Sequence, residues 1–221
     1  MHLYSAPISL FGKKVEIALA EKGLAFERTL VAFTQSEGYK PKHPAVLTAN
    51  PKAQVPVLID GELTLFDSTV ILEYLEDAYA DPPLYPSGAA AKARCRQLEL
   101  IADEVLLPPL RTLMHRSVPA DAARHAAQEA EAAKGEARLS ELFAELEAKL
   151  GAQDWFCGSF GVADIALFMM VFWTKRLKGP APEGRMAAWY ERCLARPSIA
   201  KVTSELLAAD RKLSPALYAA R

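Results

Sequence analysis

The sequence is short of several things, and each shortage excludes something. Its three cysteines, Cys95, Cys157 and Cys193, are far apart and form no C-x-x-C or metal-ligand spacing. Neither a disulfide framework nor a zinc site is expected, and a reducing, cytoplasmic setting fits best. There is no surplus of positive charge, because 26 Lys and Arg face 27 Asp and Glu for a net charge of −1. Nucleic acid is therefore not an expected partner, since phosphate recognition usually leaves a basic excess. No apolar run is long. The longest, residues 165–173, is bounded by Asp164 and Lys175 and falls far short of the ~20 residues that span a bilayer. The first residues contain no basic stretch leading into an apolar one, so no secretory signal is expected. What remains is an ordinary globular mixture of 221 residues, 51% apolar and 24% charged. That length allows one large domain or two small ones.

The first 80 residues mix strand and helix signals. Residues 3–5 read as a short strand ended by Pro7. In residues 11–22, Phe11, Val15, Ala18, Leu19 and Lys22 recur at helical spacing, and Gly23 supplies the residue that follows a C-cap. Thr29, Val31 and Phe33 favour a strand, whereas residues 35–50 are polar, broken by Pro41 and Pro44, and suit irregular chain with a short helix. Residues 55–59 are a buried-strand run. Asp60-Gly61 is a hairpin turn signal, and residues 63–66 return as a strand. Asp67-Ser68 then caps a helix carrying Val70, Ile71, Tyr74, Leu75 and Ala78.

From Gly88 onward only helices are expected. Residues 81–88, rich in proline and closed by glycine, read as a linker. Residues 89–117 form a helical stretch that Pro108-Pro109 should kink. Residues 121–150 are helical, with Leu139, Leu142, Phe143, Leu146 and Leu150 as their apolar stripe and a solvated stretch around residues 126–134. Residues 163–178 are apolar nearly all round and read as a buried central helix. Two shorter helices, 186–194 and 198–208, flank Pro197. The expected division is thus 1–80, a linker over 81–88, and a helical domain over 89–221.

Four segments in this order carry a family resemblance. They are Ser9-Leu10-Phe11-Gly12 leading into residues 15–23, Asn50-Pro51-Lys52-Ala53-Gln54-Val55-Pro56-Val57-Leu58, residues 67–75 beginning Asp67-Ser68, and Ala163-Asp164-Ile165-Ala166-Leu167. Together, over nearly the whole chain, the sequence resembles a cytosolic glutathione transferase of the serine type found in bacteria. The resemblance implies a thioredoxin-like α/β domain followed by an all-α domain, a cytoplasmic homodimer, and glutathione as co-substrate without a metal. It also implies an enzyme of detoxification that conjugates glutathione to small hydrophobic electrophiles.

The chemistry sets what such a site needs. A free thiol titrates near ~8.5, so lowering its pKa by ~2 units requires about 2.7 kcal/mol of preferential stabilisation of the thiolate. A hydroxyl donor at a helix N-terminus can supply much of this. The resemblance assigns that role to Ser9, just before the first helix and six residues ahead of Val15. Helix capping is the competing role for Ser9, and Tyr4 and Ser5 are the competing hydroxyls. Resemblance further implies that Val55-Pro56 is cis and offers the backbone of Val55 to the cysteinyl unit of glutathione. Gln54 would reach toward the glycine end, Lys42 (beside His43) would face the glycine carboxylate, Ser68 would hold the γ-glutamyl carboxylate, and Asp67 would pair with its ammonium.

Other features are read more plainly. Asp164 is expected to be structural, at the start of the buried helix, with Gly161 standing where the family has Ser or Thr. A hydrophobic substrate pocket between the domains would be lined by Leu10, Phe11, Leu110, Arg111, Met114 and His115. Arg176 stands twelve residues after Asp164, the spacing at which zeta-class enzymes bind a substrate carboxylate, although a solvated helix end explains it too. The zeta Ser-Ser-Cys motif is replaced by Ser9-Leu10-Phe11, which argues against maleylacetoacetate isomerase. No cysteine lies in the first domain, which disfavours chemistry through a protein thiol. Two other readings stay open: a glutathione-dependent isomerase, lyase, dehalogenase or peroxidase, and a non-catalytic binding or assembly protein of the same fold.

Overall fold

The computed structural model describes residues 1–219. The expected order of elements in the first part is found: β1 (His2–Ser5), α1 (Leu10–Glu21), β2 (Glu27–Leu30), α2 (Pro44–Ala49), β3 (Val57–Asp60), β4 (Leu63–Phe66) and α3 (Ser68–Ala78). The four strands form one sheet in the order β2-β1-β3-β4, with β1 parallel to β2 and antiparallel to β3, and β3 antiparallel to β4. Parallel β1 and β2 need a crossover, and α1 supplies it. This is a thioredoxin-like α/β layout.

Strand alternation sorts the side chains by face. Leu3 and Ser5 are fully buried, and the Ser5 hydroxyl donates to Glu16 of α1 at 2.7 Å. Tyr4 points to the other face, where it packs on a cluster of Ala6, Val31, Val46, Val55 and Val57. On α1, Val15, Ile17, Ala18 and Leu19 are buried, and on α3 so are Ile71, Leu72 and Leu75.

Alongside this core runs a buried ionic network. Lys13 donates to Glu16 at 2.8 Å, Arg28 of β2 donates to Glu16 at 2.6 Å, and Arg28 reaches Glu205 at 2.8 Å. Burial pushes the Lys13 ammonium below its ordinary pKa, with Glu16 opposing that shift.

The second part is helical: α4 (Ala89–Leu100), α5 (Leu107–Arg111), α6 (His125–Leu150), α7 (Val162–Arg176), α8 (Gly184–Leu194) and α9 (Pro197–Leu213). The break expected at Pro108-Pro109 takes the form of a π-helical turn over Ile101–Leu106 just before it. Two successive prolines supply no N–H to the carbonyls a turn earlier, so the regular ladder cannot continue through them. A 3₁₀ turn, Met114–Ser117, follows α5. On α7, every residue from Val162 to Thr174 is buried, as its composition predicts. The solvated stretch expected at 126–134 is mostly exposed, but Ala132 is fully buried and Glu129 is tied to Arg116 at 2.7 Å.

The compact units do not follow chain order. One comprises residues 1–84 together with 197–213, and the other comprises 85–196 together with the chain from 214 onward. The sequence division placed 197–213 in the helical domain; instead α9 joins the α/β unit. Its Ile199, Val202 and Leu206 are buried, Ser198 donates to Glu21 of α1, and Glu205 completes the Arg28 network. Ala220 and Arg221, the last residues of the expected helical domain, lie outside the described residues.

Candidate functional site

The sheet register decides where the implicated segments meet. Ser5, the last residue of β1, lies opposite Leu30, the last of β2; Tyr4 lies opposite Val57, the first of β3, and Val57 lies opposite Phe66, the last of β4. The chain therefore leaves β1 toward Ser9, leaves β2 toward Tyr39 and Lys42, enters β3 through Val55-Pro56, and leaves β4 into Asp67-Ser68, all at one end of the sheet. Neighbouring strands are about 4.8 Å apart, so these segments share a region the size of a small peptide.

Ser9 is the N-cap of α1, and its Oγ accepts a hydrogen bond from the Gly12 N–H at 3.0 Å. The capping reading is thus correct as far as it goes. The Tyr39 phenol also comes close enough to Ser9 to be influenced by it. Burial raises the Tyr39 phenol above its ordinary pKa, and the Ser9 contact opposes that shift. Gly12 leaves room for this arrangement: a Cβ there would stand 2.4 Å from the Ser5 Oγ and 3.0 Å from the Ser9 Oγ.

Of the competing hydroxyls, that of Ser5 is engaged elsewhere. Ser5 is fully buried against Glu16. The Tyr4 ring stacks on His2, with centroids 4.7 Å apart, and meets a tilted His43 ring at 4.9 Å.

Tyr39 was not singled out in the sequence. It lies in the irregular segment after β2, where no periodicity marks a side chain as inward. Its ring packs on Phe33 at 5.1 Å, and the Lys42 ammonium stands 5.5 Å from its centroid.

Lys42 also donates to the Ala53 carbonyl at 2.8 Å, which ties its segment to the approach to β3. There Asn50 organises the turn: its Nδ2 donates to the Gln54 carbonyl at 2.7 Å, and its Oδ1 accepts from the Lys52 N–H at 2.9 Å. Gln54 is exposed, Val55 is buried, and the Val55–Pro56 bond is cis.

At α3 the capping role belongs to Asp67 rather than to Ser68. The Asp67 carboxylate accepts from the Thr69 N–H at 3.0 Å, and Ser68 is the first, buried residue of the helix. Asp67 has φ +75°, a left-handed conformation that costs a non-glycine residue energy. One of its carboxylate oxygens is occupied by the cap, and the exposed side chain retains the other.

The expected substrate-lining residues do not assemble within either unit. Phe11, half-buried with the Lys14 ammonium 5.6 Å from its ring, belongs to the α/β unit. Arg111 and Met114 are exposed in the helical unit, and Leu110 is fully buried and presents no surface to a ligand. Arg176 donates to the Ser214 Oγ at 3.0 Å and lies 5.0 Å over the Trp173 ring, so it packs locally. Asp164 is structural: it is fully buried and accepts from Trp189 Nε1 at 2.8 Å and from the Phe156 and Gly161 N–H groups at 3.2 Å.

Comparison with known proteins agrees with this layout. Residues 3–83 match the family model of the glutathione S-transferase N-terminal domain, and residues 102–197 match that of the glutathione S-transferase C-terminal domain. A probable glutathione S-transferase, parC, from Nicotiana tabacum is 32% identical over 203 residues, covering 87% of this chain and 84% of that one. A stringent starvation protein A homologue from Coxiella burnetii is 38% identical over 100 residues, which spans 44% of each chain. Among solved structures, a theta-class glutathione S-transferase from Xanthomonas axonopodis pv. citri with glutathione bound superposes with a TM-score of 0.77 at 27% identity, covering 90% of this chain and 95% of that one.

Proposed function

The chain belongs to the glutathione S-transferase family, and on that premise we propose that it conjugates glutathione to small hydrophobic electrophiles, with Ser9 stabilising the thiolate. The observation that carries this reading is the register of the sheet, which brings the Ser9, Lys42, Val55 and Asp67-Ser68 segments to one end. In this reading the Val55 backbone pairs with the cysteinyl unit of glutathione. The amino end of α3 and the Ser68 hydroxyl take the γ-glutamyl carboxylate, and the remaining oxygen of Asp67 takes the ammonium. Lys42 and Gln54 serve the glycine end.

Ser9 then acts on the sulfur. The Gly12 N–H occupies one acceptor position on its oxygen. In this reading the Ser9 proton points at the thiolate. A hydrogen bond to a charged group contributes about 1.5–3 kcal/mol, close to what a shift of one to two pKa units requires. The thiol proton leaves to solvent, the thiolate sulfur bonds to the electrophilic carbon, and the leaving group departs with its electron pair. Phe11 in the α/β unit and, separately, Arg111 and Met114 in the helical unit are retained as proposed electrophile-side residues. A homodimer in a cytoplasmic setting completes the proposal.

A second reading, a non-catalytic family member, is kept because a relative 38% identical over 100 residues carries a name other than that of a transferase. The two part on one experiment. Calorimetric titration with glutathione, followed by a panel of aryl halides, epoxides, peroxides and maleylacetone, is expected to show binding and turnover of at least one electrophile. Absence of binding at millimolar glutathione overturns the conjugation reading.

A further inference from the structure

The helical unit holds a cluster of metal-ligating side chains that is independent of the glutathione reading. His125 and Glu129 stand one turn apart at the start of α6, and so share a face. His115, on the 3₁₀ turn after α5, meets them. One ligand atom from each of the three lies within 4.8 Å of the others. They line a cavity of about 600 Å³.

The hydrogen bonds around His115 limit what can fill this cluster. Its Nδ1 is 2.9 Å from the Thr112 carbonyl, which can only accept, so Nδ1 carries a proton. Its Nε2 is 2.7 Å from the Glu129 Oε1. The Arg116 guanidinium donates to both Glu129 oxygens, to Oε1 at 3.0 Å and to Oε2 at 2.7 Å, so Oε1 serves as an acceptor. The contact is satisfied in two ways: by a second proton on His115, or by a cation lying between Nε2 and Oε1. In a neutral His115 the Nε2 lone pair faces the carboxylate and is available to a metal.

We propose that His115 Nε2, the His125 imidazole and a Glu129 carboxylate oxygen form a binding site for a divalent transition-metal cation of the zinc, nickel or copper type. Two imidazoles and one carboxylate suit these ions, whereas calcium and magnesium favour all-oxygen sites. At bond lengths of about 2.0–2.1 Å the ligand atoms of a tetrahedral ion lie roughly 3.3 Å apart. The cluster reaches that spacing by a small opening of the His115–Glu129 contact and a rotation of the exposed His125 ring.

The supports that orient metal ligands elsewhere are already in place. The Thr112 carbonyl fixes the His115 tautomer, and Arg116 holds Glu129 through Nε at 3.0 Å and Nη2 at 2.7 Å. Arg116 does not cancel the negative field, because its Nη1 also serves Glu136 at 2.7 Å. Arg124 is neutralised by Asp121 at 2.7 Å. One carboxylate is therefore in excess. The amino end of α6 disfavours a cation slightly. A fourth position is left to water, facing the cavity.

The test uses the full chain without a histidine tag, freed of metal by chelator and dialysis. Calorimetric titration with zinc chloride at pH 7.5 is expected to give one ion per chain. Cobalt(II) added to the same sample is expected to show the visible bands of a low-symmetry four- or five-coordinate ion. His125→Ala, an exposed substitution that leaves the fold intact, should weaken zinc at least tenfold, as should His115→Ala. His43→Ala, outside the cluster, should leave binding unchanged. No heat and no cobalt bands at millimolar metal would overturn the proposal in favour of a protonated His115 in a simple ion pair. Binding that survives His125→Ala would overturn it equally.

Discussion

At the residue scale, the account rests on how few atoms surround the Ser9 oxygen. Tyr39 is the neighbour whose contribution can be removed most cleanly, since Tyr39→Phe deletes one hydroxyl and keeps the ring on Phe33. A neutral hydroxyl–hydroxyl interaction contributes about 0.5–1.5 kcal/mol, so removing the phenol is expected to raise the thiol pKa of bound glutathione by under about one unit. Glutathione affinity should stay within a few-fold. A thiolate titration by ultraviolet absorbance checks it, and an unshifted curve would reduce Tyr39 to packing. Ser9 was legible in the sequence because a hydroxyl stood immediately before a helix-period run. Tyr39 was not, because the segment that carries it has neither period and its inward turn is set by Val31, Val46 and Val55, which lie far apart in the chain. Asp67 and Ser68 were legible as a pair, but which of them caps α3 depends on the left-handed φ of Asp67, which the residue name does not disclose.

At the element scale, α1 is held to the sheet and to α9 by the Glu16 network as well as by apolar packing. Glu16→Ala would leave Lys13 buried without its carboxylate, and breaking a buried pair from one side costs about 3–5 kcal/mol. Glu205→Ala removes only a half-exposed partner of Arg28, and such pairs contribute below about 1 kcal/mol. Chemical denaturation of both variants is expected to show this contrast; equal losses would mean that the network is not what anchors α1. The order and type of the strands and the longer helices were readable from periodicity and turn chemistry. The return of α9 to the α/β unit was not, because its Ile199, Val202 and Leu206 stripe fits any apolar surface, and the ionic partners that choose α1 and β2 lie more than a hundred residues away in sequence. The π-helical turn before Pro108 was foreseen as a kink but not in kind, since its width answers to the missing N–H groups rather than to any residue within it.

At the scale of the whole molecule, stability should carry the mark of two carboxylates with opposite shifts. Glu129 is held at about 2 against an ordinary 4.5, chiefly by Arg116, so its contribution is complete above pH 4.5 and is lost as pH falls toward 2. Asp164 is raised to about 6 by burial, so the native state holds its proton longer, and its contribution declines as pH rises from about 4 to 6. In Glu129→Gln the loss of melting temperature between pH 4.5 and 2 should be shallower than in the unaltered protein, while the slope between pH 4 and 6 is retained. A Glu129→Gln curve parallel to the original would contradict the Arg116 assignment. The central claim concerns neither carboxylate but the sulfur that Ser9 is to meet, and the most direct measurement is the pH titration of the thiolate absorbance of bound glutathione in the unaltered protein and in Ser9→Ala. The account predicts a bound thiol well below ~8.5 that moves up by about one to two units in the variant, with at least tenfold slower conjugation and affinity within a few-fold. A titration that does not move, with turnover unchanged, would contradict it and leave Ser9 as a helix cap alone.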